Sequence, residues 1–177
     1  MGILIATDAW EPQVNGVVKT LAATIGELER RRQSVRLITP DLFRRAPMPG
    51  YREIELAWPN QRVMSAILRD FNPEHIHIAT EGPIGWAMRR IALREGLVFT
   101  TGYHTRFPEY LRTRLPVPLG LTYRALRRFH NAGHGVLVAT ASMQAELERR
   151  GFRNVMLWSR GVDLGGFHPG VTADAFD

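Results

Sequence analysis

The sequence predicts an α/β fold in which a parallel β-sheet carries helices on both faces. Short apolar runs of strand length, such as ILIAT at residues 3–7, alternate with segments of helical periodicity along the chain. This alternation is typical of parallel sheets, because each crossover between parallel strands needs a connection about as long as a helix. With 177 residues, 45% of them hydrophobic, the chain is long enough for one domain with a sizeable core.

The first strand–helix unit carries the most informative loop. Residues 3–7 are apolar and β-branched enough for a strand that is buried on both faces. The apolar residues of the following segment lie on one helical stripe: Val17, Leu21, Ile25 and Leu28. The loop between them ends in Asn15-Gly16, so the first N–H groups of the helix face the carboxyl end of the strand. Such a helix start attracts phosphate, although Asn-Gly also forms ordinary turns.

The remaining elements follow in alternation. Strands are predicted at residues 34–39, 75–79, 97–103, 135–139 and 154–157, and helices at residues 60–71, 84–95, 119–130 and 142–150. The first of these helices has Asn60 as its predicted N-cap and four inward residues: Val63, Ile67, Leu68 and Phe71. Gly151 is predicted to close the last helix. Residues 42–59 are rich in proline, which predicts an irregular excursion with one short strand at residues 52–56.

Polar residues recur where the predicted strands end. Ligands of open α/β sheets bind outside the carboxyl ends of the strands, so these positions are the candidates for a site. They are Asp8 with Asn15-Gly16, Glu81, His104 with Arg106, and residues 160–163. His75 and His77 are two residues apart on one strand face, but with no third ligand in the pattern a metal pair is disfavoured.

Composition and absent motifs narrow the classes of function. The chain has no cysteine, no run of 18 apolar residues and no secretory leader, so a cytoplasmic location is expected. GxGxxG, Walker A, GxSxG and HExxH patterns are missing, which argues against the enzymes that use them. The net charge of +6, carried almost wholly by arginine, suits an anionic partner.

Four collinear stretches match the motifs of a known family: ILIATDAWEPQVNGVVKTL, NPEHIHIATEGPIG, FTTGYHTRFPEYL and WSRGVDLGGFHP. Together they resemble the N-terminal half of the family-four retaining glycosyltransferases of the GT-B fold. Within that family the chain is most similar to the α-mannosyltransferases that use GDP-mannose and to the sulfoquinovosyl transferases. The resemblance implies a Rossmann-like domain, one half of a GT-B enzyme, that holds the acceptor and closes over a nucleotide sugar.

The resemblance also implies roles for individual residues. His104 would lie beside the donor sugar as the catalytic residue. The donor side would include Gly16, Val17 and Arg160, and the acceptor side Asp8, Asn15, Glu81 and Arg106. Arg160 departs from the asparagine that many relatives carry at that position, and Asp163 follows it near the domain junction. The alternatives are that Asp8 caps a turn, that Asp163 holds the final loop and that His104 is structural.

In domain terms, residues 1–170 are expected to form the acceptor-side domain, and residues 171–177 to begin an interdomain linker. The donor-binding C-terminal domain would be absent, so the chain alone is expected to be inactive. No metal or other cofactor is implied; the donor would be GDP-mannose or a UDP-sugar, and the acceptor a lipid or a glycan.

The segment 104–130 mixes arginines with apolar residues, which suits peripheral contact with an anionic membrane at its inner face. The alternative is a solvated arginine face over a buried stripe. Rival functions are a non-catalytic binding module for a phosphate-bearing ligand, a sugar-nucleotide epimerase and a nucleic-acid-binding module. The epimerase is disfavoured by the RGVD ending, and the nucleic-acid module by the lack of any recognition motif.

Overall fold

The computed structural model describes residues 1–48, 51–104, 118–159 and 161, with the backbone alone at residues 47, 48 and 51–55. The strands in these ranges are β1 Gly2–Ala6, β2 Ser34–Ile38, β3 Arg44–Met48, β4 Tyr51–Trp58, β5 His75–Ile78, β6 Phe99–Tyr103, β7 Gly135–Val138 and β8 Val155–Leu157. The helices are α1 Gly16–Arg30, α2 Gln61–Phe71, α3 Pro83–Arg94, α4 Leu119–His130 and α5 Ala141–Arg149, with a short 3-10 helix at Pro40–Leu42.

Six strands form one sheet in the order β2-β1-β5-β6-β7-β8, and every neighbouring pair is parallel. The predicted parallel α/β sheet is therefore confirmed. The chain starts in β1, steps to β2 on one side, and then returns to β5 on the other side of β1. The strand order thus reverses between β1 and β5. Open α/β sheets bind ligands outside the carboxyl ends of the strands at such a reversal, and the region outside the ends of β1 and β5 is here called the crevice.

The two faces of the sheet are covered by different helices. On one face, Leu4 and Ile76 belong to the main core, which includes buried residues of α2, α3 and α4. On the same face, Val136 packs in a second cluster with residues of α4 and α5. On the opposite face Ile5 packs against Leu21 of α1. Helices therefore lie on both faces, as predicted, and α1 is the described helix that covers the second face.

Helix ends follow the local chemistry that the sequence indicates. The Asn60 side chain accepts a hydrogen bond from the Arg62 N–H at 3.0 Å, so its predicted capping of α2 is confirmed. Asn72 ends the same helix in the left-handed region with φ of 43°, and Gly151 follows α5 with φ of 82°. Glycine and asparagine adopt this conformation at the least cost, which is why they end helices here.

Two sequence predictions about the region after β2 were wrong. Residues 42–59 contain an antiparallel hairpin rather than one short strand. β3 pairs with β4, starting with Arg44 opposite Trp58, and the register shifts between Pro47 and Met48. A two-stranded sheet has only edge strands, and an edge strand tolerates proline because one side of its backbone needs no partner. In α2, Leu68 is buried and Ile67 and Phe71 pack against the core, as predicted. Val63, however, is 40% exposed, and Met64 is fully buried instead.

Candidate functional site

Asp8 joins the two strand ends at the reversal point of the sheet. Its carboxylate accepts hydrogen bonds from the backbone N–H groups of Ile84 at 2.7 Å and Gly85 at 3.2 Å, in the first turn of α3. The Thr80 hydroxyl donates to the same carboxylate at 2.8 Å, and the Asp8 N–H donates to Thr80 Oγ1 at 2.7 Å. Gly82, which precedes α3, has no side chain to cap the helix. Asp8 therefore caps α3 from the far side of the crevice.

Close packing accompanies this cap. A Cβ at position 82 would lie 2.4 Å from Asp8 Cγ, so a side chain there would displace the carboxylate. Burial raises the pKa of the Asp8 carboxyl and outweighs the hydrogen bonds from Ile84, Thr80 and Gly85, which lower it; the nearby Glu81 charge adds to the rise. The contacts described for Asp8 are those of a helix cap, and its acceptor-side role stays a prediction.

Asn15 holds the start of α1. Its Oδ1 accepts hydrogen bonds from the backbone N–H groups of Val17 and Val18, both at 3.0 Å, and its Nδ2 donates to Gln13 Oε1 at 3.3 Å. The helix has 15 residues, and its own first turn contains no acidic side chain that would offset the positive end of its dipole. A diphosphate that uses the Val17 N–H must replace the Asn15 oxygen. The donor-side roles of Gly16 and Val17 stay predictions.

Glu81 and His130 form a second polar contact at the crevice. Glu81 lies three residues after the end of β5, and its Oε1 is 3.2 Å from Nε2 of His130, the last residue of α4. The His130 side chain is fully buried, whereas that of Glu81 is 16% exposed. The other ring nitrogen, Nδ1, is 2.8 Å from the Thr101 hydroxyl on β6. Glu81 is thus anchored from beneath and reaches solvent at the strand end.

His104 follows β6, and its ring folds back along the strand. A Cβ at position 102 would lie 2.5 Å from His104 Nε2, so Gly102 makes room for the ring. The Trp158 ring lies against His104 at a centroid distance of 5.9 Å and against His77 at 6.0 Å. This arrangement brings residues from β5, β6 and the end of β8 into one aromatic cluster. The catalytic role of His104 stays a prediction.

His77, on β5, is another member of that cluster. Its Nδ1 is 2.9 Å from the Thr100 hydroxyl. Burial lowers the pKa of His77 to about 3, and the neighbouring His104 contributes in the same direction. The imidazole is therefore neutral at physiological pH and cannot supply a positive charge to a ligand.

Other predicted site residues fall outside this description. Arg106, Arg160 and Asp163 lie outside the described residues. In the part of the chain that the structure describes, no three histidine, aspartate or glutamate side chains gather as metal ligands. Within the same ranges, no helix has the length and apolar character needed to cross a bilayer.

The geometry can be set beside known proteins. The family model described as Glycosyltransferase Family 4 matches residues 14–165. The chain belongs to this family.

Three curated relatives of this glycosyltransferase family 4 chain are distant, at 23–25% identity. A protein named GDP-mannose-dependent alpha-mannosyltransferase from Mycobacterium tuberculosis (strain CDC 1551 / Oshkosh) is 25% identical, over 94% of this chain and 49% of the relative. Proteins of the same name from Mycolicibacterium smegmatis and Corynebacterium glutamicum are 25% and 23% identical, over 96% of this chain and 50% and 45% of their own lengths. The chain thus spans about half the length of the curated relatives it matches.

Sequence reasoning missed several residues that build this candidate site. His130 was predicted only as the end of α4, yet it lies against Thr101 and Glu81, which are 29 and 49 positions away. Thr80 and Trp158 were likewise given no individual role. No local signal marks these residues, because a single histidine in the last turn of an amphipathic helix is common in ordinary cores. Only the stacking of α4 on the sheet brings the partners together.

Proposed function

We propose that this chain is the acceptor-side half of a hexosyltransferase, which moves mannose or a similar hexose from a nucleotide sugar to a lipid or glycan acceptor with retention of configuration. One observation carries the proposal: the family 4 match covers residues 14–165, and these residues include β5 and the start of α1, which border the crevice. Three relatives are named for GDP-mannose, which makes that donor the first one to test.

The start of α1 suits the leaving group of such a reaction. When the glycosidic bond to the donor phosphate breaks, negative charge grows on the departing nucleoside diphosphate. The positive end of α1 lies at the carboxyl end of β1 and has no acid in its first turn. Fixed N–H dipoles that face a developing charge stabilise the transition state without reorganising. Gly16 and Val17 are the residues that supply them in this proposal, once the Val17 N–H has exchanged the Asn15 oxygen for the diphosphate.

The acceptor side rests on Glu81. One of its carboxylate oxygens is held by His130, and the side chain reaches solvent, so the other oxygen can accept a hydrogen bond from a sugar or polyol hydroxyl. Asp8 fixes the start of α3 beside it and so keeps the loop after β5 in place. In this proposal Glu81 orients the acceptor, and His104 lies next to the donor sugar.

Donor binding requires more residues than this half contains, so we propose that the 177-residue chain transfers no sugar alone and binds nucleotides only with a Kd of about 1 mM or weaker. Orientation of donor and acceptor supplies much of the rate of a two-substrate reaction, and one domain cannot provide it.

The test compares the whole protein with the 177-residue chain. Each is incubated with GDP-mannose or UDP-glucose and with separate lipid and oligosaccharide acceptors, and the anomeric configuration of any product is determined by NMR. Transfer by the whole protein with the donor's configuration retained is expected. Sugar transfer by the shorter chain would overturn the half-enzyme proposal. Nucleotide binding without transfer by the whole protein would favour a non-catalytic phosphate-binding module.

We also propose peripheral contact with an anionic membrane surface through α4. Its exposed face, here called the α4 arginine face, carries Arg124, Arg127, Arg128 and Leu121, and Leu121 is 53% exposed. A lipid acceptor would be delivered to the crevice from such a surface. Each arginine near an anionic bilayer contributes roughly 1 kcal/mol, and salt screens this attraction beyond about 10 Å at 0.1 M.

A further inference from the structure

His130 is a buried titratable residue that the proposed chemistry does not use directly. It is the last residue of α4, its side chain is fully buried, and both of its ring nitrogens face a polar partner. Nδ1 is 2.8 Å from Thr101 Oγ1, and Nε2 is 3.2 Å from Glu81 Oε1. A buried histidine with both nitrogens engaged lies in a fixed orientation, so the identity of the two partners matters.

The distances favour one arrangement of protons along the groups Thr101, His130 and Glu81. The Thr101 hydroxyl has one proton, and two acceptors compete for it: His130 Nδ1 at 2.8 Å and the Gly135 carbonyl at 3.4 Å. The shorter contact favours donation to Nδ1. With Nδ1 as the acceptor, the ring proton lies on Nε2, which donates to the Glu81 carboxylate. The opposite tautomer would place a nitrogen lone pair against a carboxylate oxygen, which is repulsive.

Aromatic packing prevents the ring from turning away. The ring of Tyr103 lies 5.6 Å from that of His130 between centroids, that of Phe129 lies at 5.0 Å and that of Phe152 at 5.7 Å. Close-packed interiors hold side chains in single rotamers, so Nε2 keeps its direction toward the crevice. Among the described residues, Glu81 makes no other hydrogen bond, and His130 is therefore what sets the direction of its carboxylate.

We infer that His130 is a positioning residue that holds one oxygen of Glu81 so that the other faces an acceptor hydroxyl, with Thr101 setting the His130 tautomer. The acceptor this arrangement suits is a polyol or sugar hydroxyl, because a fixed carboxylate oxygen accepts a hydrogen bond from such a group. The inference rests on the proposed function, since it assigns the acceptor side of that reaction.

Two substitutions of His130 separate positioning from packing. The side-chain nitrogen of glutamine occupies nearly the place of Nε2, so His130→Gln keeps a donor toward Glu81. That of asparagine occupies nearly the place of Nδ1, so His130→Asn keeps a contact with Thr101, now as the donor to the Thr101 hydroxyl oxygen, and loses the donor toward Glu81. Both variants remove part of a buried ring, and their melting temperatures show how much each loses by packing alone.

The first readout is independent of catalysis and uses NMR on the 177-residue chain. The wild-type His130 ring is expected in the tautomer with hydrogen on Nε2. The side-chain couplings of Glu81 are expected to show one rotamer in wild type and in His130→Gln, and averaging over rotamers in His130→Asn. A Glu81 side chain that stays in one rotamer in His130→Asn would overturn the inference.

The second readout is steady-state kinetics of the whole enzyme. His130→Asn is expected to raise the acceptor KM roughly tenfold, as loss of a hydrogen bond that orients a charged group would, with kcat within about threefold. His130→Gln should stay within about threefold of wild type in both constants. Equal losses in the two variants, following their melting temperatures, would assign His130 to packing alone. If the wild type shows no transfer at all, the proposed function fails, and the Glu81 rotamers still decide the positioning claim.

If neither His130 variant folds, Glu81→Ala replaces them, because Glu81 lies at the surface end of the contact. Loss of the carboxylate is expected to move the His130 Nε2–H proton resonance upfield, since a hydrogen bond to a charged acceptor is removed. The exposed Glu29→Ala is the matched control and should leave the resonance in place. An unchanged resonance in Glu81→Ala would overturn the inference.

Discussion

Replacing Asp8 by alanine tests whether the crevice is held together by the helix cap that spans it. The substitution leaves the N–H groups of Ile84 and Gly85 and the hydroxyl of Thr80 without their acceptor. Ile84 is fully buried, so water does not easily replace the lost partner. Loss of a helix cap costs about 1 kcal/mol, and an unpaired, partly buried polar group costs about 1–3 kcal/mol. Relief of the buried carboxylate offsets part of this cost.

We therefore expect Asp8→Ala to lower the free energy of unfolding by about 2–3 kcal/mol. For a domain of this size that corresponds to a melting temperature roughly 5–10 °C lower. Asp8→Asn is the matched control, because its amide oxygen still accepts from α3 and it carries no buried charge. Because an NH2 group replaces the second acceptor oxygen, Asp8→Asn should still cost about 1–2 kcal/mol, less than Asp8→Ala. Urea denaturation measures both, with the m-value unchanged if the native state stays compact.

The pH dependence of the stability of wild type and of Asp8→Asn gives an independent check. Burial raises the pKa of the Asp8 carboxyl above its ordinary value of 3.8, so the folded chain binds this proton more tightly than the unfolded chain. The stability that this residue contributes is thus greatest below pH 3.8 and falls as the pH rises through the raised pKa. Asparagine does not titrate, so the difference in free energy of unfolding between wild type and Asp8→Asn should shrink as the pH rises through the raised pKa. An Asp8→Ala variant within about 0.5 kcal/mol of wild type, or an Asp8→Asn variant equally destabilised, would refute the reasoning.

Three further predictions follow from other parts of the molecule. Gly85→Ala should lower the free energy of unfolding by about 3 kcal/mol or more, because its Cβ would lie 1.9 Å from the Thr80 carbonyl oxygen. Gly26→Ala has open space around it and should stabilise α1 by about 0.5–1 kcal/mol. Similar urea midpoints for the two variants would contradict this prediction. In the whole enzyme, His104→Ala should lower kcat at least roughly tenfold with acceptor KM within about threefold, and equal changes in both constants would make His104 structural. Replacing the three arginines of the α4 arginine face by glutamine should weaken co-sedimentation with anionic vesicles about a hundredfold at low salt, with neutral vesicles as the control, and binding indifferent to lipid charge would contradict membrane contact.

Much of the fold was predictable because it depends on local pattern. The boundaries of α4 were predicted to the residue, and those of the sheet strands to within about two residues, since buried strands and amphipathic helices differ in the period of their apolar residues. The hairpin of β3 and β4 escaped prediction because its pairing is between residues 44–48 and 51–58, and proline in the segment hides the strand pattern. The family was likewise evident from four ordered motifs, and the match over residues 14–165 confirms it.

The strand–helix alternation, the family and the polar residues at the strand ends all follow from the amino-acid sequence alone. The contacts of those residues depend on the tertiary structure. Asp8 meets α3 across 76 positions of chain, and Glu81 meets His130 across 49. Such contacts depend on the strand order and on which face of the sheet each helix covers. The hydrophobic periodicity of a single segment predicts neither of these. Asp8, which the sequence predicts as an acceptor ligand, caps α3 in the structure. His130, which the local pattern marks only as the end of a helix, contacts Glu81.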